Sequence, residues 1–199
     1  TKKHGGSAGH DNASTGFAML CYFGWGARHT EKGPYQVPMA KAVKWLSSRV
    51  GEDGDSTAGD GQGMYDQGIA TMALAEAYGM TKDPAMLDPL RRAVGFIIRA
   101  QNKEGGWRYK YKSKDSDTSV VGWQVMALTS ARMSGLRVPE EPFTKARKYL
   151  ESVSSGTGGG RYSYQGRRNA TVTMTAEAMF CQQIMGMRPS DPRMADSVS

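Results

Sequence analysis

Self-similarity at an interval near 53 residues constrains this chain more than any other feature. Trp45, Phe96 and Tyr149 stand 51 and then 53 residues apart. Each is followed by an aliphatic residue (Leu46, Ile97, Leu150). Three positions before each lies an alanine (Ala42, Ala93, Ala146), itself preceded by a base (Lys41, Arg92, Lys145). A second landmark gives the same interval: Asp11, Gly63, Asp117 and Asn169 follow one another at steps of 52, 54 and 52, and each opens an apolar run. A third is G-G-W-R-Y-K-Y at 105–111, which returns as G-G-G-R-Y-S-Y at 158–164. A repeating unit of this size is one supersecondary element that buries its apolar face only by stacking on its neighbours.

Each period holds two helices of different character. The first is apolar nearly all round, over Asn12–Tyr22, Met64–Tyr78, Thr118–Met133 and Ala170–Met185. Asp11, Asp117 and Asn169 are placed as their N-caps, because Asp and Asn side chains accept a bond from an orphaned backbone N–H. The second helix is amphipathic. In Val37–Val50 the residues Met39, Ala42, Val43, Leu46 and Val50 share one face, with Lys41, Lys44 and Arg49 elsewhere. Pro89–Ala100 and Pro142–Val153 follow the same pattern and carry proline near their starts. A helix apolar all round belongs inside and a striped one outside, so the predicted unit is a helical hairpin, inner helix then outer helix. The units run over approximately 11–62, 63–116, 117–168 and an incomplete 169–199, in one domain.

Arg92-Ala93-x2-Phe96-Ile97-x3-Gln101-x3-Gly105-x-Trp107 resembles the QW motif of the squalene cyclase and prenyltransferase repeat family. All the motif's defined positions match in this copy; those at Lys41 and Lys145 match only in their first halves. The resemblance implies an all-α fold, an α/α toroid or part of one, with inner helices around a central cavity. It also implies structural roles for Gln101, Gly105 and Trp107, the glutamine capping helix ends and the tryptophan stacking on it. Full rings in the family hold more hairpins than this chain, which begins at Thr1 rather than Met. A fragment or a processed product is therefore expected, with the array's open ends covered by its own tails, by missing repeats or by a second copy in a homodimer.

The family's chemistry sets the candidate residues. Triterpene cyclases protonate an alkene with an Asp cluster, D-x-D-D-T-A, in an apolar cavity. The matching stretch here is Lys114-Asp115-Ser116-Asp117 before Thr118-Ser119, so only the final Asp of the cluster is kept. The N-cap position explains Asp117 more fully than an acid does. The alternative is an active cyclase with Asp117 as general acid, assisted by Asp115 or Asp66. Prenyltransferases hold zinc with Asp, Cys and His, yet Met19 and Met179 precede the two cysteines where the Asp is required. No metal and no other cofactor are expected. His4, His10 and Asp11 fit no zinc spacing, and the Asp-rich loop Gly51–Gly63 lacks the glutamate that closes a calcium loop. Cys21 and Cys181, both in inner helices, are expected as buried free thiols. Asp66, Gln67, Thr71 and Glu76 interrupt an apolar helix and must find partners, in neighbouring hairpins or, for Asp66, at the cavity mouth.

A binding role rests on aromatic and basic residues. Trp123 and Tyr65 sit in inner helices. Arg108, Tyr109, Tyr111, Arg161, Tyr162 and Tyr164 lie in the turns that precede them, with Lys110, Lys112, Lys114, Arg167 and Arg168. These turns share a rim with helix N-termini, which favour anions. The expected ligand is apolar or isoprenoid-like, or anionic, or a peptide. The net charge of +7 is spread over the chain without a helix-turn-helix or RNP pattern, so nucleic acid is not an expected partner. No apolar run approaches the ~18 residues of a transmembrane helix.

Overall fold

The computed structural model describes residues 9–57, 63–167 and 169–198. His4 and Arg168 lie outside them. The fold is all-α. Its helices are α1 (Asp11–Gly24), α2 (Gln36–Ser48), α3 (Gly63–Thr81), α4 (Leu87–Ala100), α5 (Thr118–Met133), α6 (Glu141–Ser152), α7 (Val172–Ile184) and α8 (Pro192–Ser197). A 3-10 turn, Pro84–Met86, leads into α4, and a two-residue antiparallel pair, β1 (Ser154–Ser155) with β2 (Arg161–Tyr162), follows α6.

The helices sort into two layers. In the inner layer α3 packs on α1 to one side and α5 to the other, and α5 packs on α7. Outside them, α2 lies on α1 and α3, α4 on α3 and α5, and α6 on α5. Composition explains the sorting. Along α3, residues Met64, Ile69, Ala70, Ala73, Leu74, Ala75 and Ala77 are all buried. Small residues let the inner helices approach: a Cβ on Gly16 would lie 3.0 Å from Ile69, and one on Gly68 3.0 Å from Trp123. Helix α4 instead buries one stripe, Leu90, Ala93, Val94, Phe96, Ile97 and Ala100. Complete burial of side chains such as Leu90 and Ile97 stabilises by about 2 kcal/mol each.

The inner helices' polar residues tie one hairpin to the next. Asp66 is fully buried and accepts from the backbone N–H of Ala13 at 2.8 Å, with His10 Nδ1 at 2.7 Å. It thus satisfies an orphan donor in the first turn of α1. For that reason α1 needs no cap from Asp11, which is its first helical residue; His10 holds the N-cap position. Helix α7 also departs from expectation. Thr171, not Asn169, is its N-cap and accepts from Met174 N at 3.2 Å. Gln67 takes the N–H and hydroxyl of Ser56 and donates to the carbonyls of Gly54 and Ala93.

Two glycine turns have the same construction. At 102–106, Asn102 N donates to Gly106 O, and Gly105 has φ +94°. A Cβ on Gly105 would overlap the carbonyl oxygen of Lys145 in α6. At 51–55, Gly51 N donates to Asp55 O, Gly54 has φ +89°, and its Cβ would overlap the carbonyl oxygen of Arg92 in α4. Each turn is pressed onto the next outer helix at its basic landmark residue. The acids of the first turn serve that geometry: Asp53 accepts from Asp55 N and Asp55 from Thr57 N, while Arg92 and Arg99 hold its carbonyls. In the second turn Gln101 Nε2 donates to Gly105 O at 2.8 Å and to Pro142 O at 2.9 Å. The buried Trp107 donates from Nε1 to Ile97 O at 2.8 Å, closing an orphan carbonyl of α4.

The two cysteines differ. Cys181 is buried against the Gly122 carbonyl, and burial pushes its thiol pKa up. Cys21 is exposed, contrary to expectation, because α1 has inner-layer packing on one side only.

Candidate ligand-binding face

The acids and tyrosines of the candidate site are set by the ends of α3 and α5. Met64 N, at the start of α3, donates to Tyr109 O at 3.0 Å, and Thr118 N, at the start of α5, donates to Tyr164 O at 3.0 Å. The same bond therefore occurs in successive hairpins. It uses the loop tyrosines' carbonyls to satisfy helix-start donors and so places their rings beside one another. The hydroxyls of Tyr109 and Tyr164 are hydrogen-bonded, and the rings of Tyr65 and Tyr109 lie 5.9 Å apart. Tyr65 meets Ser119 Oγ at 2.7 Å, and Ser119 donates to Asp117 Oδ1 at 2.6 Å.

Asp117 is fully buried and caps α5, its Oδ1 accepting from Val120 N at 2.9 Å. Its second oxygen lies 3.8 Å from Arg108 Nε. Arg108 also pairs with Asp115 and lies 5.3 Å from the centre of the Tyr109 ring. Burial alone would raise the Asp115 pKa, but hydrogen bonds from Arg108 and Gln165 outweigh it and hold the carboxyl below its usual range. Burial raises the pKa of Tyr65 and, further, of Tyr164.

Beyond this polar lip, the partly exposed side chains include Tyr65, Met72, Glu76 and Tyr78 on α3, and Ser119, Trp123, Met126 and Thr129 on α5, so apolar and aromatic groups are interspersed with one acid and two hydroxyls. Phe17 of α1 meets Trp123 edge-on at 5.3 Å, spanning α3, and remains 44% exposed. One further acid reaches this region. Glu177, on α7, lies against Gly122 of α5. Burial first, and then the Asp117 charge, push its carboxyl up to about 7. The sequence signal for Glu177 was a lone carboxylate in an apolar helix, Ala176-Glu177-Ala178.

The structure thus brings Tyr65, Arg108, Tyr109, Asp115, Asp117 and Tyr164 together, places Trp123 beyond them against Phe17, and sends other candidates elsewhere. Asp66 faces α1 rather than the lip. Tyr111 stacks on Phe96 of outer helix α4 at 4.7 Å. Tyr162 is fully buried in the core, while the exposed Arg161 borders a groove between α7 and α8. Arg167 donates to the Ser152 carbonyl. Among the described residues, no three His, Cys, Asp or Glu side chains are grouped to hold a metal ion, and no helix is long and apolar enough to cross a membrane. Comparison of the chain with models of protein families, with curated proteins and with solved structures finds no match.

Proposed function

We propose that this chain is a non-catalytic binding member of the squalene cyclase and prenyltransferase repeat family. On this reading it folds as an arc of an α/α toroid with a period near 53 residues and holds an apolar, isoprenoid-like ligand on its inner-helix face. The layering of α1, α3, α5 and α7 inside α2, α4 and α6 supports the arc, as do the paired helix-start bonds and the paired glycine turns. The apolar face of Phe17, Tyr65, Met72, Trp123 and Met126 supports the ligand class.

The observation that carries the non-catalytic reading is the setting of Asp117. Its Oδ1 accepts two hydrogen bonds within its own helix start and its Oδ2 faces Arg108. A group that protonates an alkene must present a proton to substrate, whereas this carboxyl is fully buried and its Oδ1 is held as an acceptor at the helix start. The test is incubation with squalene and with an isoprenoid alcohol, followed by chromatography. Saturable binding with unchanged ligand is expected. A cyclised product that vanishes in Asp117→Asn would establish the alternative, an active isoprenoid cyclase with Asp117 as acid.

Both ends of the array expose apolar side chains. A groove of about 650 Å³ at α1 and α2 includes Tyr22 and Trp45, and one of about 480 Å³ at α7 and α8 includes Val172 and Phe180. On the proposed reading, further repeats of the same chain or a second copy cover them. Light scattering separates the two, since only a second copy gives a dimer mass.

A further inference from the structure

The largest groove described lies on the outside of the fold, away from the inner-helix face, with a volume of about 960 Å³. Three separated segments supply its lysines: Lys103 from the turn after α4, Lys112 and Lys114 from the loop before α5, and Lys145 and Lys148 from adjoining turns of α6. Glu104 is the acid in its lining. Lys145 has an acidic partner, Glu141, at 2.6 Å. No ion pair involving the other four is found among the described residues, whereas Arg92, Arg108, Arg132, Arg147 and Arg193 are all paired with carboxylates. Other bases, Lys41 and Lys44 among them, also lack an acidic partner among the described residues; what sets this groove apart is that five lysines from three segments line one space with one glutamate.

The loop that carries two of the lysines is held in place. Lys112 adopts a left-handed backbone, φ +51°, a conformation that costs a residue with a Cβ about 1 kcal/mol or more. Tyr111 is stacked on Phe96, and the Lys112 ammonium lies 5.4 Å from the Tyr111 ring centre. The aromatic pair thus anchors Lys112 at the groove's edge.

We infer that this groove binds a small ligand bearing two or more adjacent phosphate groups. Ammonium groups are compact point charges with three donors each. Several of them facing one space repel one another, and a multivalent anion that bridges them relieves the repulsion where a single carboxylate relieves only one. The volume suits a compact ligand. No aromatic side chain lines the groove, so it lacks the stacking platform that single-stranded nucleic acid uses. The inference is independent of the inner-helix face and survives if that reading fails.

The test is calorimetric titration with inorganic tripolyphosphate at about 150 mM salt, where diffuse surface attraction is screened. Binding at one site is expected, with orthophosphate weaker by about tenfold or more. The loop pair Lys112→Gln with Lys114→Gln, and separately the helix pair Lys145→Gln with Lys148→Gln, should each weaken it by about tenfold. The exposed pair Lys41→Gln with Lys44→Gln on α2 should leave it unchanged. Circular dichroism checks that each variant is folded. Co-sedimentation with phosphatidylcholine vesicles containing a bisphosphorylated inositol lipid distinguishes the source. Retention that tripolyphosphate competes away assigns a lipid headgroup; no retention assigns a soluble polyphosphate. Absence of tripolyphosphate binding, or equal weakening by the α2 pair, would overturn the inference.

Discussion

Glu177 makes the fold's stability depend on pH in a direction opposite to that of most carboxylates. Its carboxyl sits at the α5–α7 contact, where burial and then the charge of Asp117 move it from 4.5 to about 7. In the unfolded chain it ionises near ~4.3. Between those values the folded chain keeps a proton that the unfolded chain has released, so stability falls as pH rises through the window and levels off above it. The full difference corresponds to roughly 3.5–4 kcal/mol. The side chain retains some contact with water, which reduces this to about 1–2 kcal/mol. Glu177→Gln removes the titrating charge and keeps the shape. Relative to the parent, it should gain about 1–2 kcal/mol between pH 4 and pH 8, read as a shift in the urea midpoint at unchanged slope. A parent–variant difference that is flat across this range would show that Glu177 is not shifted, as would a carbon-13 titration placing its carboxyl near its ordinary value.

Other substitutions test the joints between hairpins. Trp107→Phe strands the Ile97 carbonyl and should cost about 1–3 kcal/mol, and Trp107→Ala about 3–5 kcal/mol, by chemical denaturation. Gly105→Ala forces a Cβ into the Lys145 carbonyl at a positive φ. It should cost more than about 2 kcal/mol, whereas Gly24→Ala, with open space around it, should be nearly neutral or mildly stabilising. Asp117→Ala removes the α5 cap and should cost about 1–2 kcal/mol, with Asp117→Asn costing less because its amide oxygen still accepts from Val120 N; equal losses would show that the acceptor is not what matters. Asp191 is held down to about 2 by its hydrogen bonds from the Arg193 side chain and backbone. Asp191→Asn should therefore destabilise at pH 6, with the loss disappearing as the parent is taken through pH 4 to 2, followed by thermal melts.

The helical framework was legible because two physical signals coincide in it. All-round apolarity marks α3 and α5, and a 3.6-residue stripe marks α4 and α6; for Thr118–Met133 even the ends agree. What was not legible depended on contacts far apart in sequence. Asp66 caps α1 from the next hairpin, so the N-terminal Asp11 was given a role that another residue fills. The turn at 51–55 lacks a tryptophan and carries acids, which hid its likeness to 102–106 until its hydrogen bonds and positive φ were seen. In the candidate site, Trp123, Tyr65, Arg108, Tyr109 and Tyr164 were picked out by residue type. Tyr162, two residues before Tyr164, lies in β2 and is fully buried, a distinction that composition does not carry. Glu177 went unmarked because its environment is made by α5, not by its own helix.

Photo-cross-linking tests most directly whether a ligand lies on the inner-helix face. A benzophenone-bearing isoprenoid alcohol is bound to the intact chain, irradiated, and the adduct mapped by peptide mass spectrometry. Labels are expected within residues 63–81 and 118–133, centred on Met72, Trp123 and Met126, and lost on competition with unlabelled isoprenoid alcohol. Labels confined to the outer helices α2, α4 and α6, or to the groove between α7 and α8, would contradict this placement.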